Sequence, residues 1–273
     1  MIRKTIANKI ELQGIGVFSN QISKVILSPA TCNSGIRIIR NDLKENNVIY
    51  VNTKSTFTTY KMSTTISNGF CEISLIEHLL ATIWYFEITD VDIYVNCDEI
   101  PMLDGSSRIW LNLINNAGIK TFDEEKQYKY IDKEYKITFE DKFIIAKPSD
   151  RLIINYTIDF NEKTIGKKTF IFDEKQHNFA KEIALARTFC TEKQAEEHKK
   201  IKKHFSNNEI IIFNDSGYSV SNNALRYDNE PVRHKILDII GDFMSTGEYI
   251  CAEIIAHKSG HIMNRELINK IFQ

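Results

Sequence analysis

P-V-R-H-K-I-L-D-I-I-G-D-F, residues 231 to 243, is the stretch from which the rest of the chain is best read. At about 100° per residue on a helix, His234, Asp238 and Asp242 fall within one narrow arc with Lys235 at its edge. Ile236, Leu237, Ile239, Ile240, Phe243 and Met244 cover the opposite side. One face reads as core, and the other offers an imidazole and a carboxylate one turn apart, which is metal-ligand spacing. The same spacing also arises as a plain side-chain hydrogen bond on a solvated face, so the helix alone leaves both readings open. Pro231 suits a helix start. Gly241 costs stability inside a helix relative to alanine, and its presence points to close approach by another group.

The chain has 273 residues, the upper edge of one domain and comfortable for two; 42% hydrophobic and 11% aromatic content is ample for packed cores. A formal charge of −1 supplies no global field to recruit nucleic acid or an anionic membrane. Nucleic acid is therefore not an expected partner. The five cysteines, Cys32, Cys71, Cys97, Cys190 and Cys251, are odd in number and never in C-x-x-C spacing, which argues against a disulfide framework and a thiolate zinc site. No apolar run is long enough to span a bilayer, and the first residues lack a signal-peptide core. A cytoplasmic protein is the expectation.

Residues 23–27, 35–40 and 48–52 read as strands, and Gly14-Ile15-Gly16 reads as a turn rather than a nucleotide loop. From Ser74 the period changes: S-L-I-E-H-L-L-A-T-I-W-Y-F places Leu75, Leu79, Thr82 and Ile83 near one helical face. Ser74 and Glu77 have capping-box spacing, which would turn Glu77 back onto the Ser74 amide. His78 then has the ordinary reading of a core histidine bonded to backbone. Both side chains could instead lean from the helix start toward a cleft. V-D-I-Y-V-N reads as a strand, E-I-P-M-L-D-G-S-S as a loop, and residues 108–117 as a helix closed at Gly118. The charged stretch 123–133 is the candidate domain boundary.

The second half repeats this order of elements, with strands at 135–139, 143–146 and 151–160. A helix is expected to end in A-L-A-R-T-F-C, and the polar run that follows reads as a solvated helix. His198 and His204 do not share a helical face and are discounted as a metal pair. Tyr249 to Ala256 reads as a buried strand, H-K-S-G-H as a loop carrying His257 and His261, and the last helix as beginning at Met263.

Five motifs in register carry a resemblance: S-L-I-E-H-L, E-I-P-M-L-D-G-S-S, A-R-T-F at 186–189, V-R-H-K-I-L-D-I-I-G-D and K-S-G-H. Together they resemble the zinc-dependent UDP-3-O-acyl-N-acetylglucosamine deacetylases of lipid A synthesis over the whole chain. The resemblance implies an α+β fold of two similar β-α-β layered domains, 1–125 and 126–273, packed helix to helix. Each domain would carry a small insertion, the second near 188–215. It implies one Zn²⁺ per chain on His78, His234 and Asp238, with the fourth position open as in catalytic zinc. Glu77 would be the general base and His261 the general acid. Asp242 would orient His261 and favour its charged form. Thr188 would stabilise the developing oxyanion. Lys235, Lys142, Lys258, Phe160 and Phe189 would contact the substrate, a UDP-linked acylated amino sugar. A monomer is expected.

Two departures stand out. The family's opening G-V-G-L-H-T-G is here G-I-G-V-F-S-N, with Phe18 in the histidine's place. Where a glycine-rich segment usually follows the second insertion, this chain has H-F-S-N-N-E. Two other readings remain: a zinc hydrolase for a different N-acyl sugar, and a structural zinc clamp with a fourth protein ligand, for which His257 is the nearest candidate.

Overall fold

The structure is a computed structural model that describes residues 1–58, 62–201, 210–220 and 224–273. The first half begins with β1 (Ile2–Ile6), β2 (Ile10–Ile15), β3 (Ile22–Pro29), β4 (Ile36–Arg40) and β5 (Val48–Tyr50). A small antiparallel sheet of β6 (Thr56–Thr58), β7 (Thr65–Ser67) and β8 (Glu72–Ser74) leads into α1 (Glu77–Tyr85). The half closes with β9 (Val91–Val95), α2 (Arg108–Ala117) and β10 (Ile119–Glu125), which pairs back onto β1.

The second half opens with β11 (Lys129–Tyr130), β12 (Tyr135–Phe139), β13 (Lys142–Pro148), β14 (Ile153–Asp159) and β15 (Lys167–Asp173). α3 (Phe179–Glu182), β16 (Phe189–Thr191), α4 (Glu192–Ile201), β17 (Ile211–Asn214) and β18 (Gly217–Ser219) follow. α5 (Glu230–Met244), β19 (Ile250–His257) and α6 (His261–Phe272) complete the chain.

The two large sheets have matching strand orders, β2-β3-β9-β4-β5 and β12-β13-β19-β14-β15, with β11 added beside β19. In each, the central strand arrives last, after a helix, and lies antiparallel to the second strand and parallel to the fourth. The echo of element order in the sequence is thus a repeat of topology. Strand patterning agrees with it: β14 alternates buried and half-buried residues with the two-residue period of a pleated strand.

α1 and α5 pack on each other more extensively than any other pair of elements. Residues Glu77 to Ile83 of α1 are all buried; Leu79, Leu80 and Ile83 join the first sheet's core, and Ala81 joins the second's. α5 is buried along its length apart from Arg233 and Lys235. A helix hidden on nearly all sides lies inside a protein, so the polar arc of α5 faces α1 rather than water. This mixed helix-and-sheet arrangement is the α+β class read from the motifs.

Four local expectations are corrected. The capping box does not form, because Ser74 ends β8 and Ile76 is the N-cap of α1, without a side-chain cap bond. Leu75 takes a positive φ of 64°, and that break separates serine from glutamate. The helix expected to end in A-L-A-R-T-F-C is only the single turn α3; Phe189 to Thr191 form a strand instead. His261 opens α6 rather than lying in a loop before it. Gly14 and Ile15 belong to β2, and the turn begins at Gly16. The segment H-F-S-N-N-E, with His204, Lys202 and Lys203, lies outside the described residues. All five cysteines are free thiols. No helix among the described residues is long and apolar enough to cross a membrane.

Candidate metal centre and active site

His78 comes from α1 and His234 and Asp238 from α5, and donor atoms of the three lie within 4.8 Å of one another. The two imidazoles meet edge to face, with ring centroids 5.0 Å apart. His234 Nδ1 is 3.0 Å from the Ala186 carbonyl oxygen. Since a carbonyl can only accept, Nδ1 carries a proton, and Nε2 faces Asp238 Oδ1, 3.2 Å away. A proton on Nε2 satisfies that contact, and so does a metal cation that takes its place between the two atoms. His78 adds a third donor: its Nε2 lies 3.9 Å from the same oxygen, and its buried Nδ1 has no hydrogen-bond partner among the described residues. Among the described residues the expected bond of the His78 ring to backbone is therefore absent at Nδ1.

The charges suit a metal cation. Burial, with His234 adjacent, pushes His78 down to about 3, so it is neutral and able to ligate. Burial alone would raise Asp238, but His234, Lys235 and His261 outweigh it and hold the carboxyl well below the usual range. The Lys235 ammonium, 2.9 Å from Asp238 Oδ2, contributes to this, and Asp238 in turn raises the lysine despite its burial. A neutral-imidazole and carboxylate set of this kind suits zinc, and also iron or cobalt.

Beside the donors stand two titratable groups of shifted character. Burial pushes the Glu77 carboxyl up to about 8, with Asp242 and Asp238 adding to the rise and His261 opposing it. His261 moves up to about 9, because Asp242 overcomes the effect of burial. Its Nδ1 lies 2.9 Å and 3.0 Å from the two Asp242 oxygens, so the proton at Nδ1 is fixed and Nε2 is turned toward Asp238 Oδ2, 3.9 Å away.

The A-R-T-F segment serves four contacts. Ala186 accepts from His234; Arg187 pairs with the buried Glu230 at the start of α5, Nε to Oε1 2.8 Å. Thr188 N–H donates to the Gly105 carbonyl at 2.7 Å, and the Phe189 ring meets Phe160 edge to face at 5.5 Å.

A family model for UDP-3-O-acyl N-acetylglycosamine deacetylase matches residues 3–273. The chain belongs to that family. A protein of Campylobacter curvus (strain 525.92) named UDP-3-O-acyl-N-acetylglucosamine deacetylase is 33% identical over 273 residues, covering 98% of this chain and 90% of that protein. Proteins of the same name from Nautilia profundicola and Campylobacter hominis are 33% and 34% identical, covering 99% and 98% of this chain and 92% and 90% of their own lengths. Family membership makes this chain a deacetylase.

In this deacetylase a cavity of about 650 Å³ opens over the donors. Glu77, His78, His234, Lys235, Asp238 and His261 line it, as do Lys142, Thr188, Phe189 and Lys258. Two of the residues read from sequence do not: Asp242 sits behind His261, and Phe160 reaches the cavity only through Phe189. Lys258 spends its ammonium on Asp141 at 2.6 Å. His257 lies in β19 stacked on Phe143, 5.5 Å between rings, and takes no part in the donor group. Among the described residues no fourth protein ligand joins the three.

Sequence reasoning missed three residues. Asn264 donates to Asp242 Oδ2 at 2.7 Å, and its place three residues after His261 on one helical face could have signalled it. Thr64 hydrogen-bonds Asp242 from a loop 178 residues away, a pairing that no local spacing announces. The buried Glu99 accepts from the amides of Phe18 and Ser19 at 2.8 Å and 2.7 Å, and so holds the loop that presents Phe18 to the cavity.

Proposed function

We propose that this chain hydrolyses the N-acetyl group of a UDP-3-O-acyl-N-acetylglucosamine, releasing acetate, as a zinc-dependent step of lipid A synthesis in the cytoplasm. One observation carries the reading. Three metal donors from two helices converge at a cavity that also holds a raised carboxyl, Glu77, and a raised imidazole, His261. His78, His234 and Asp238 would hold one Zn²⁺ per chain. When bound, zinc supplies Lewis acidity, drawing electrons from the acetamide carbonyl and easing deprotonation of a water.

The chain's own residues do the rest. Glu77 accepts the proton of the attacking water, and its burial makes it a stronger base than a solvated carboxylate. His261, charged and oriented by Asp242, delivers a proton from Nε2 to the departing amine nitrogen. The Thr188 hydroxyl donates to the carbonyl oxygen as negative charge builds there. Lys235 keeps Asp238 anionic, Lys142 offers the cavity a positive charge for the diphosphate, and Lys258 joins it by exchanging Asp141 for a phosphate oxygen; Phe189, backed by Phe160, forms an aromatic edge for the uridine. Apolar lining at Phe18, Met102 and Ile262 suits an acyl chain. The working unit is a monomer of two domains, 1–125 and 126–273, with the site at their seam.

The test is acetate release from UDP-3-O-acyl-N-acetylglucosamine by purified protein stripped with chelator and then given substoichiometric zinc. Activity that disappears and returns in proportion to zinc is the expected result. Zinc bound at one equivalent without turnover on this substrate, but with turnover on another N-acetyl sugar, would reassign the substrate. Full activity of rigorously stripped protein would remove the metal from the reaction.

A further inference from the structure

Thr64 lies just before β7, outside every motif read from the sequence, yet it touches both ends of the proton-transfer apparatus. Its backbone N–H donates to Glu77 Oε2 at 3.1 Å. Its carbonyl accepts from Leu75 N–H at 3.0 Å, so the residue is bonded to the start of α1 in both directions. Its side-chain Oγ1 donates to Asp242 Oδ1 and lies 3.4 Å from His261 Nδ1. Thr64 is only 5% exposed, so no bulk water competes for these bonds.

Each bond removes a choice. An ionised carboxylate only accepts, so the Thr64 hydroxyl must give its hydrogen to Asp242. Asp242 is then held by donors from three directions: Thr64, the Asn264 amide and His261 Nδ1. With the carboxylate fixed, the imidazole plane is fixed, and the proton at Nδ1 leaves Nε2 as the site that faces the cavity. At Glu77, the Thr64 amide occupies Oε2. That leaves Oε1 as the oxygen for the water's proton.

We propose that Thr64 is a positioning residue that sets the base, Glu77, and the acid, His261, at a fixed separation, acting through its amide on one and through Asp242 on the other. The role rests on the reaction proposed above. It differs from that of Asp242, which orients His261 alone: Thr64 makes the two proton-transfer groups one rigid unit, so that proton removal at the water and proton delivery at the nitrogen address the same bound amide.

Thr64→Val keeps shape and the amide but deletes the hydroxyl, and Thr64→Ser restores the hydroxyl. Thr64→Val should retain one equivalent of zinc and a KM within about twofold of the parent, while kcat falls by about 10- to 100-fold, the worth of one hydrogen bond to a charged group. Thr64→Ser should recover most of kcat. A second readout needs neither metal nor turnover: in stripped, histidine-labelled protein the His261 Nδ1–H resonance should stand well downfield and should move or broaden in Thr64→Val, but not in Thr64→Ser. Should the valine protein fail to fold, Thr64→Ala, which adds no bulk, takes its place in both measurements. Unchanged kcat and an unchanged resonance in the hydroxyl-less variant would overturn the proposal. A parent protein without deacetylase activity would overturn the reaction instead, leaving the resonance to decide whether Thr64 orients His261.

Discussion

A Cβ placed on Gly241 would lie 2.1 Å from the carbonyl oxygen of Glu77 and 2.7 Å from its Cα. No real Cβ contact is that short, and the atoms it meets are backbone, which cannot swing aside. The glycine is what allows α5 to lie directly on the first turn of α1, and so brings His234 and Asp238 to His78. Gly241→Ala must therefore push the helices apart. The expected result is a loss of about 3 kcal/mol, at the top of the usual range for overpacking. Zinc affinity should fall with it. A denaturant melt and a zinc titration on the same sample check both.

Glu77→Gln removes the proposed base while keeping the size and the bond from Thr64. Zinc should still bind at one equivalent, because Glu77 is not among the three donors. Acetate release should fall by about 10²- to 10⁴-fold, the ordinary worth of general acid–base catalysis. His234→Ala, by contrast, should lose the metal as well as the turnover. Parent-like turnover in Glu77→Gln would take the glutamate out of its role.

Stability of the metal-free protein should depend on pH in a definite sense. His261 stands at about 9 in the fold against about 6.5 unfolded, so its contribution is complete below pH 6.5 and is lost as pH rises through 9. Glu77, raised to about 8, works in the same direction: the folded state holds a proton that the unfolded chain releases above about 4.5. His78, pushed down to about 3, matters only on the acid side, where its stability is lost as pH falls through 6.5. Denaturation midpoints of stripped protein should therefore decline between pH 6.5 and 9. Asp242→Asn removes the charge that raises His261 and should flatten the upper part of that decline.

The loop at Phe18 offers a separable effect. Glu99 is 1% exposed and accepts two adjacent amides there. The two amides use different oxygens, so Glu99→Gln keeps the shape but turns one acceptor into an NH₂ donor, which deprives one amide of its partner and weakens the anchorage of the other. The expected outcome is a rise in KM of about five- to tenfold, near 1 kcal/mol for the weakened bonds, with zinc stoichiometry and kcat little changed. Steady-state kinetics separate the two constants; a fall in kcat alone would place the loop in the chemistry rather than in substrate binding.

What the sequence disclosed and what it hid follow from the range of the contacts. The arc of His234, Asp238 and Asp242 was readable because helical spacing is local, and Gly241 announced a close neighbour without saying which. The repeated strand order was visible only as an echo, since pairing β9 between β3 and β4 is a non-local act. Capping-box spacing at Ser74 and Glu77 misled because three intervening bonds do not report the positive φ of Leu75 that ends the strand first. The burial of the polar arc was hidden as well: periodicity marks a polar face, and only packing decides whether it meets water or another helix. Thr64 and Glu99 act over 178 and some 80 residues of chain, where no motif reaches.

The three donors are divided between α1 and α5, so an ion bound to them would be a rivet through the contact of the two helices. Neither half of the chain could hold it alone, so every factor that loosens the seam would weaken the ion's hold, and every increment of ion affinity would tighten the seam by the same free energy. Loss of metal and parting of the halves are then one event seen through two instruments. Followed on the loaded protein, zinc release and the loss of helical signal should trace a single curve.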